Sequence, residues 1–510
     1  MRLVLGGVLF AVTIAAFVFP DLWGSGTILT LIGSVQFVPS ALKQLSTPRA
    51  VAVGFVGVVL LTLLAGRVYC STLCPLGILQ DVVIWARKKV QRRVRYRYRV
   101  PAAWLQYSVL AGATLLALCG SMTLLNLLEP FSNFGRMMAA LVAPAIGVVN
   151  NTAAFLLARS GVYVLVHIPL INVEVAAVVG SAAFLAVVVL LSYRSGRLFC
   201  NTLCPTGALL SLLARVSLLR IRIDESGCEG CGICERACRA ECIDTETKRV
   251  DWSACVGCYD CLAVCPADGF VIASLIASRR ERRAATISGR RQVVGALIGS
   301  VLLGGHDSTS VLAAAPGVPT FDESRRRAIS PPGSGGRRRF TQLCTACHVC
   351  VSACPTKVLS PALTEYGLDG VFQPRLNYAA SYCNFDCVEC GEVCPTGAIR
   401  PMPLKAKQSV QIGKAAFVKS DCIVETKKTD CGACSEHCPT KAVRMVPYGR
   451  LLLPEVHNDY CVGCGACEHA CPTKPRKAIY VVANDLHQRA MPPPREQLEK
   501  AFDSTQEFPF

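Results

Sequence analysis

Residues 344–354 read Cys-Thr-Ala-Cys-His-Val-Cys-Val-Ser-Ala-Cys, and two incompatible chemistries claim them. Cys344, Cys347 and His348 spell C-x-x-C-H, the attachment signature of a c-type haem. Cys344, Cys347, Cys350 and Cys354, closed by Pro355, spell C-x2-C-x2-C-x3-C-P, the ligand run of a [4Fe-4S] cluster. Both readings need the thiols of Cys344 and Cys347, so only one can hold. Haem would orphan Cys350 and Cys354 and take a ligand from any partner cluster. Three more runs follow, each closed by Cys-Pro: Cys383, Cys387, Cys390, Cys394; Cys422, Cys431, Cys434, Cys438; and Cys461, Cys464, Cys467, Cys471. Two precede it: Cys228, Cys231, Cys234, Cys238 and Cys255, Cys258, Cys261, Cys265. These six runs hold 24 of the 30 cysteines. A disulfide scaffold has no reason to repeat C-x2-C-x3-C endings, so the runs read as ligands to six [4Fe-4S] clusters. His348 is then a residue between ligands, as His437 and His469 are.

In two-cluster ferredoxins the fourth cysteine of each run serves the other cluster. One cluster of the first group takes Cys228, Cys231, Cys234 and Cys265, and the other takes Cys255, Cys258, Cys261 and Cys238. Cys242 is surplus, as is Cys119. The four later runs pair either sequentially or in a nested order, and spacing does not choose. Short strands around each run, such as Phe270–Ala273, fit an α+β ferredoxin fold.

The chain has 510 residues, enough for about three domains of about 150 residues. Hydrophobic residues make up 52% and charged residues 17%, a balance that suits a chain partly in lipid. Cluster thiolates offset much of the formal +18 charge, so no nucleic-acid partner is read from it. Leu3–Phe19, Ala50–Gly66, Trp104–Leu128 and Val175–Ser192 are uncharged and are expected to form about four transmembrane helices. The first is read as a retained helix, because no small-x-small cleavage site follows it. Eight basic residues between Arg87 and Arg99, against Lys43 and Arg49 in residues 20–49, place the 87–99 loop in the cytoplasm. Met137–Ala158 contains Pro144, Asn150 and Asn151 and is expected to be interfacial or re-entrant.

Gly66–Gly77 (GRVYCSTLCPLG) matches Gly196–Gly207 (GRLFCNTLCPTG) at eight of twelve positions, which implies a duplicated two-helix unit. Cys70 with Cys74, and Cys200 with Cys204, stand at i, i+4, on one face if the helix continues through them. Brought together, the pairs make a four-thiolate site for a further cluster or zinc. The rival readings are a redox-active dithiol and buried thiols. Between the two cysteine groups, Arg290-Arg291 precede thirteen apolar residues, Val293–Gly305, and Ala313–Ala315, the pattern of an internal twin-arginine export signal. A domain carrying clusters built in the cytoplasm must cross already folded, which that route permits.

Residues 1 to about 275, with two G-R-x-[YF]-C-x3-C-P elements and a double ferredoxin run, resemble the NapH/MauN family of membrane iron-sulfur proteins. Residues 285 to 480, with the twin-arginine stretch, Pro331-Pro332-Gly333 and four Cys-Pro runs, resemble the exported NapG/MauM ferredoxins. The resemblance implies a fusion of the two that oxidises membrane quinol and passes electrons outward to a periplasmic reductase or small electron carrier. It implies a multi-pass protein of the bacterial inner membrane, in contact with lipid, with the first ferredoxin domain cytoplasmic and the last domain periplasmic. The expected order is a membrane domain 1–222, a two-cluster ferredoxin 223–275, a basic apolar segment and linker 276–336, a four-motif polyferredoxin 337–482 and a polar tail 483–510. Glu129 and His167 are the candidate proton acceptors for quinol. A maturation factor that supplies electrons to a metalloenzyme is the alternative, and a structural anchor a third. No catalytic acid, base or nucleophile is needed for outer-sphere transfer, and no nucleotide loop is present.

Overall fold

The computed structural model describes residues 2–19, 26–46, 53–91, 96–100, 102–168, 174–224, 226–274 and 327–492. The export-like stretch around Arg290-Arg291, most of its linker and most of the tail lie outside the described residues.

Apolar helices form the centre of the molecule: Arg2–Val18, Val53–Ala65, Ala103–Leu118, Pro130–Arg159 and Val175–Ser195. Their outer faces carry large exposed apolar side chains such as Val53, Leu118 and Val175, a surface suited to lipid rather than water. Two described helices are long and apolar enough to cross a membrane, Pro130–Arg159 and Val175–Ser195. The pair Thr27–Ser34 and Phe37–Ser46, bent by 94°, makes a third if counted as one span.

This differs from the expected four spans in two places. Trp104–Leu128 is not one helix: it stops at Leu118 and resumes as Thr123–Leu128. Gly120 turns the chain there with φ 87°, a conformation that costs glycine little. Met137–Ala158, expected to be interfacial or re-entrant, runs inside the 30-residue helix Pro130–Arg159. One π turn, Met138–Val142, precedes Pro144, so the proline sits in the first turn of the following α segment, where its missing N–H costs least.

Three small α+β units carry the cysteine runs. In the first, strand Leu219–Ile223 pairs antiparallel with Phe270–Ser274, and Ile243–Asp244 pairs with Arg249–Val250. Helices Ile233–Ala237 and Asp260–Val264 each carry the third cysteine of a run, end just before the fourth, and pack together. The second unit has Leu359–Pro361 paired with Pro374–Leu376 and helices Val349–Ala353 and Glu389–Glu392. The third has Val410–Phe417 paired with Ile479–Arg489, and a hairpin of Val443–Tyr448 with Leu451–Val456.

The units dock at opposite ends of the helices. At one end, Arg2 pairs with Asp260 of the first unit at 3.1 Å, the Leu218 N–H donates to Leu63 O at 2.7 Å, and Arg197 N–H donates to Arg239 O at 2.9 Å. At the other end, Thr30 Oγ1 donates to Glu392 O at 3.2 Å, Thr123 Oγ1 donates to Leu368 O at 3.0 Å, and Glu174 pairs with Arg375 at 3.4 Å. The apolar helices therefore separate the first cysteine group from the second.

Candidate functional site

Four of the six ferredoxin-type runs fold the same way. In each of them the residue before the second cysteine and the residue after it both turn left-handed: Gly230 and Gly232, Gly257 and Tyr259, Ala346 and His348, Gly463 and Gly465. Alternation of this kind points successive backbone N–H groups inward, a nest for the negative charge of a cluster and its thiolates. His348 holds one of these turn positions at φ 57°. Its buried ring bonds Phe372 O through Nε2 at 2.7 Å, and burial holds its basicity down to about 4. The imidazole is thus a neutral packing group, with Nε2 turned to a backbone carbonyl rather than toward an axial haem position.

In the first unit, Cys228, Cys231, Cys234 and Cys265 line one cavity. Cys238, Cys255, Cys258 and Cys261 line another, together with Cys242. In the second unit, Cys354 joins Cys383, Cys387 and Cys390 around one cavity, while Cys394 lies within electrostatic reach of Cys344, Cys347 and Cys350. In the third, Cys471 joins Cys422, Cys431 and Cys434, and Cys438 joins Cys461, Cys464 and Cys467. The order left open by spacing is therefore sequential: first run with second, third with fourth. Neighbouring sets adjoin. Cys350 senses Cys390, the Cys383 N–H donates to Cys464 O at 2.9 Å, and Cys467 senses Cys434.

The Gly-Arg repeats form a further set. The helix does not continue through the paired cysteines. It ends at Thr72, and Cys74 is the extended N-cap of a new helix opened by Pro75; Thr202, Cys204 and Pro205 repeat the break. Gly207 N–H donates to Cys204 Sγ at 3.2 Å. A Cβ on Gly77 would lie 2.2 Å from Cys70 O, and one on Gly207 2.3 Å from Cys200 O, so only glycine closes either turn.

The repeats clasp each other. Arg67, wholly buried, donates to Gly207 O (3.1 Å), Asn201 Oδ1 (2.5 Å), Ala254 O (2.6 Å) and Cys255 O (3.2 Å). Arg197, also wholly buried, donates to Cys70 O (2.7 Å) and pairs with Asp81 (2.8 Å). Each arginine thus reaches the backbone of the opposite repeat, and the thiols of Cys70, Cys74, Cys200 and Cys204 come within electrostatic reach of one another. Among the described residues, no three or more His, Cys, Asp or Glu side chains converge closely enough to hold a single metal ion. Arg67 and Ser71, which bonds Gly257 O at 3.2 Å, join this set directly to the cavity of Cys255 and Cys258.

Beyond it lies a buried polar cluster. Tyr69 donates to Gln36 Oε1 at 2.8 Å and lies in the field of both Cys74 and Glu129; Glu129 in turn lies in the field of Cys347. Glu129, 1% exposed, caps helix Pro130–Met137 by accepting from the Ser132 N–H. Arg136 donates to Asn126 O (2.6 Å) and Asn133 Oδ1 (2.5 Å) and stacks over the ring of Phe372. The Asn126 side-chain nitrogen and oxygen and Arg136 Nη1 are buried without a hydrogen-bond partner. His167 is not part of this cluster; it is exposed on a segment whose neighbours Val166 and Ile168 are held by Asn150 and Asn151. Sequence reasoning missed Arg67, Arg197, Asn126 and Arg136. The duplicated Gly-Arg was a signal for the first pair, whereas nothing local marked the second.

A family model described as a 4Fe-4S binding domain matches residues 48–93 and 176–224, the two stretches that carry the repeats. Another, described as a 4Fe-4S dicluster domain, matches residues 427–474. The chain is 28% identical over 181 residues to the methylamine utilization ferredoxin-type protein MauN of Paracoccus denitrificans, covering 34% of this chain and 49% of that one. It is 27% identical over 208 residues to MauN of Methylorubrum extorquens, covering 39% and 58%. An uncharacterized protein of Methanocaldococcus jannaschii is 26% identical over 193 residues, covering 37% and 57%. The chain spans about half the length of the curated relatives it matches. It is an iron–sulfur protein of the ferredoxin type, similar to MauN over about a third of its length.

Proposed function

We propose that this chain takes electrons from membrane quinol and passes them outward to a periplasmic reductase or small electron carrier. One observation carries the reading: cysteine sets form a row through the apolar helices, from one docked end to the other. The row runs from the first unit, through the thiols of Cys70, Cys74, Cys200 and Cys204, past Tyr69 and Glu129, to the Cys344 set and outward to the Cys422 set. The residues fit seven [4Fe-4S] clusters, six on the ferredoxin-type runs and one between the repeats. When bound, such clusters supply one-electron outer-sphere transfer.

The helical part and first unit act as the NapH/MauN-like half and the last two units as the NapG/MauM-like half of a fusion. Arg87, Lys88 and Arg194 lie at the end where the first unit docks, which supports a cytoplasmic place for it under the positive-inside tendency. The second group then faces the periplasm, exported through the twin-arginine-like stretch.

Quinol oxidation releases two electrons and two protons. Asn126, with both polar side-chain atoms unpaired, and Arg136 Nη1 offer hydrogen bonds to a headgroup, and the Glu129 carboxylate takes a proton. All three sit beside the Cys344 set, where electrons enter.

Full-length protein in anaerobic liposomes tests this. Menaquinol is expected to bleach part of the broad iron–sulfur absorption rapidly, and Glu129→Gln is expected to slow the bleaching at least tenfold. Bleaching by dithionite but not by quinol would place electron entry elsewhere and defeat the proposal.

A further inference from the structure

Five cysteines line a cavity of the first unit that needs four ligands. Cys242 shares it with Cys238, Cys255, Cys258 and Cys261, whereas the companion cavity has only Cys228, Cys231, Cys234 and Cys265. Cys242 is 2% exposed, and its Sγ lies 3.5 Å from Cys238 Sγ. It also bonds the side chain of Cys255. The surplus thiol therefore sits between two of the ligands rather than beyond them.

The loop that carries Cys238 and Cys242 is fixed along its length. Arg197 N–H donates to Arg239 O (2.9 Å), Asn201 Nδ2 to Ala240 O (3.4 Å), Arg99 N–H to Glu241 O (3.1 Å) and Asp251 N–H to Cys242 O (2.8 Å). Arg239 further pairs with Asp81 (3.1 Å) and Asp260 (2.7 Å). With the backbone held, moving one sulfur or the other toward the cavity takes only rotation about Cα–Cβ. An apolar filler would occupy the same volume without a donor or a ligand atom, so packing alone does not call for a thiol here.

We infer that Cys242 is a standby ligand to the cluster held by Cys238, Cys255, Cys258 and Cys261. In the resting arrangement Cys242 stays a thiol and donates its S–H to the Cys238 thiolate. In the exchanged arrangement the iron–Sγ bond to Cys238 breaks, a bond to Cys242 Sγ forms, and the proton passes from Cys242 to Cys238. No electron is gained or lost, and the total charge is unchanged. The inference rests on the cluster reading of this cavity and not on the quinol reading.

The test counts iron and records low-temperature electron paramagnetic resonance on dithionite-reduced, full-length protein purified anaerobically. Cys238→Ala is expected to keep the wild-type iron content and a reduced-cluster signal with altered g values. Cys238→Ala/Cys242→Ala is expected to lose about four irons. Cys265→Ala, in the cavity without a fifth thiol, loses about four as well. Equal iron loss in Cys238→Ala and the double variant would overturn the inference. Full iron in Cys265→Ala would overturn the ligand assignment beneath it, and the inference with it. Should Cys238→Ala fold poorly, Cys242→Ala alone decides: lost S–H donation lowers that cluster's midpoint potential at unchanged iron content, and an unmoved potential refutes the role.

Discussion

All four runs of the second group end in Cys-Pro-Thr, and each threonine hydroxyl meets the sulfur of its run's last cysteine. The separations are 3.6 Å for Thr356 and Cys354, 3.6 Å for Thr396 and Cys394, 3.7 Å for Thr440 and Cys438, and 3.1 Å for Thr473 and Cys471. The runs of the first group end in Cys238-Arg and Cys265-Pro-Ala and have no such hydroxyl. Thr473 Oγ1 already accepts the Ala478 N–H at 2.9 Å, so its own proton is directed at the sulfur. Hydrogen bonds to charged acceptors contribute about 1.5–3 kcal/mol. A one-electron reduction spreads its charge over a whole cluster and its thiolates, so we assign about 1 kcal/mol of this to the difference between oxidised and reduced states. At about 59 mV per 1.4 kcal/mol for one electron, Thr473→Val should lower the midpoint of the Cys422–Cys471 cluster by about 40 mV. Thr440→Val, at the longest separation, should shift its cluster by less than half as much. Thr473→Ser keeps both bonds and should restore the wild-type value. Redox titration followed by electron paramagnetic resonance on the full chain measures all three. An unchanged midpoint in Thr473→Val, or an equal shift in Thr440→Val, would refute the argument.

Other consequences are open to direct measurement. Asp81→Asn leaves the buried Arg197 without its carboxylate and should cost about 3 kcal/mol or more, seen as earlier thermal unfolding and faster proteolysis near Arg239. Gly207→Ala should strip about four irons by blocking the turn at Cys200 O, while Gly7→Ala, with open space around it, should leave the iron content unchanged. His487 bonds Ser330 at 3.0 Å, and burial lowers its pKa to about 4 from an ordinary value near 6.5. The fold thus disfavours its charged form: this contribution is intact above about pH 6.5, declines as pH falls toward 4 and is then fully lost, by no more than about 3 kcal/mol. Protection factors of strand Ile479–Arg489, taken relative to the intrinsic exchange rate at each pH, should fall across that window in the wild type and stay flat in His487→Asn.

Much of the site was legible because metal ligation is a local matter. Cluster thiolates come largely from closely spaced residues, so C-x2-C-x3-C endings marked the candidate ligands, and haem in the run starting at Cys344 would leave two of its cysteines over. The Gly-Arg repeats announced a duplication, but not their arginines' crossing, which depends on two segments more than a hundred residues apart. Helix boundaries were less legible. Hydropathy does not distinguish a continuous helix from one broken by a left-handed Gly120, and Pro144, Asn150 and Asn151 argued for an interfacial or re-entrant segment where a π turn before Pro144 lets one long helix run on.

Sequence by itself determined the ferredoxin-type character of the cysteine runs, because their spacing acts within a few bonds. Tertiary structure alone decided that runs pair sequentially, that two Cys-Pro turns close on one set of four thiols, and that the cysteine groups lie at opposite ends of the helices. Chain connectivity permits either pairing of the later runs, and the contacts between folded units select the sequential one; Arg67 and Arg197 bring the two repeats together by finding their partners across the fold.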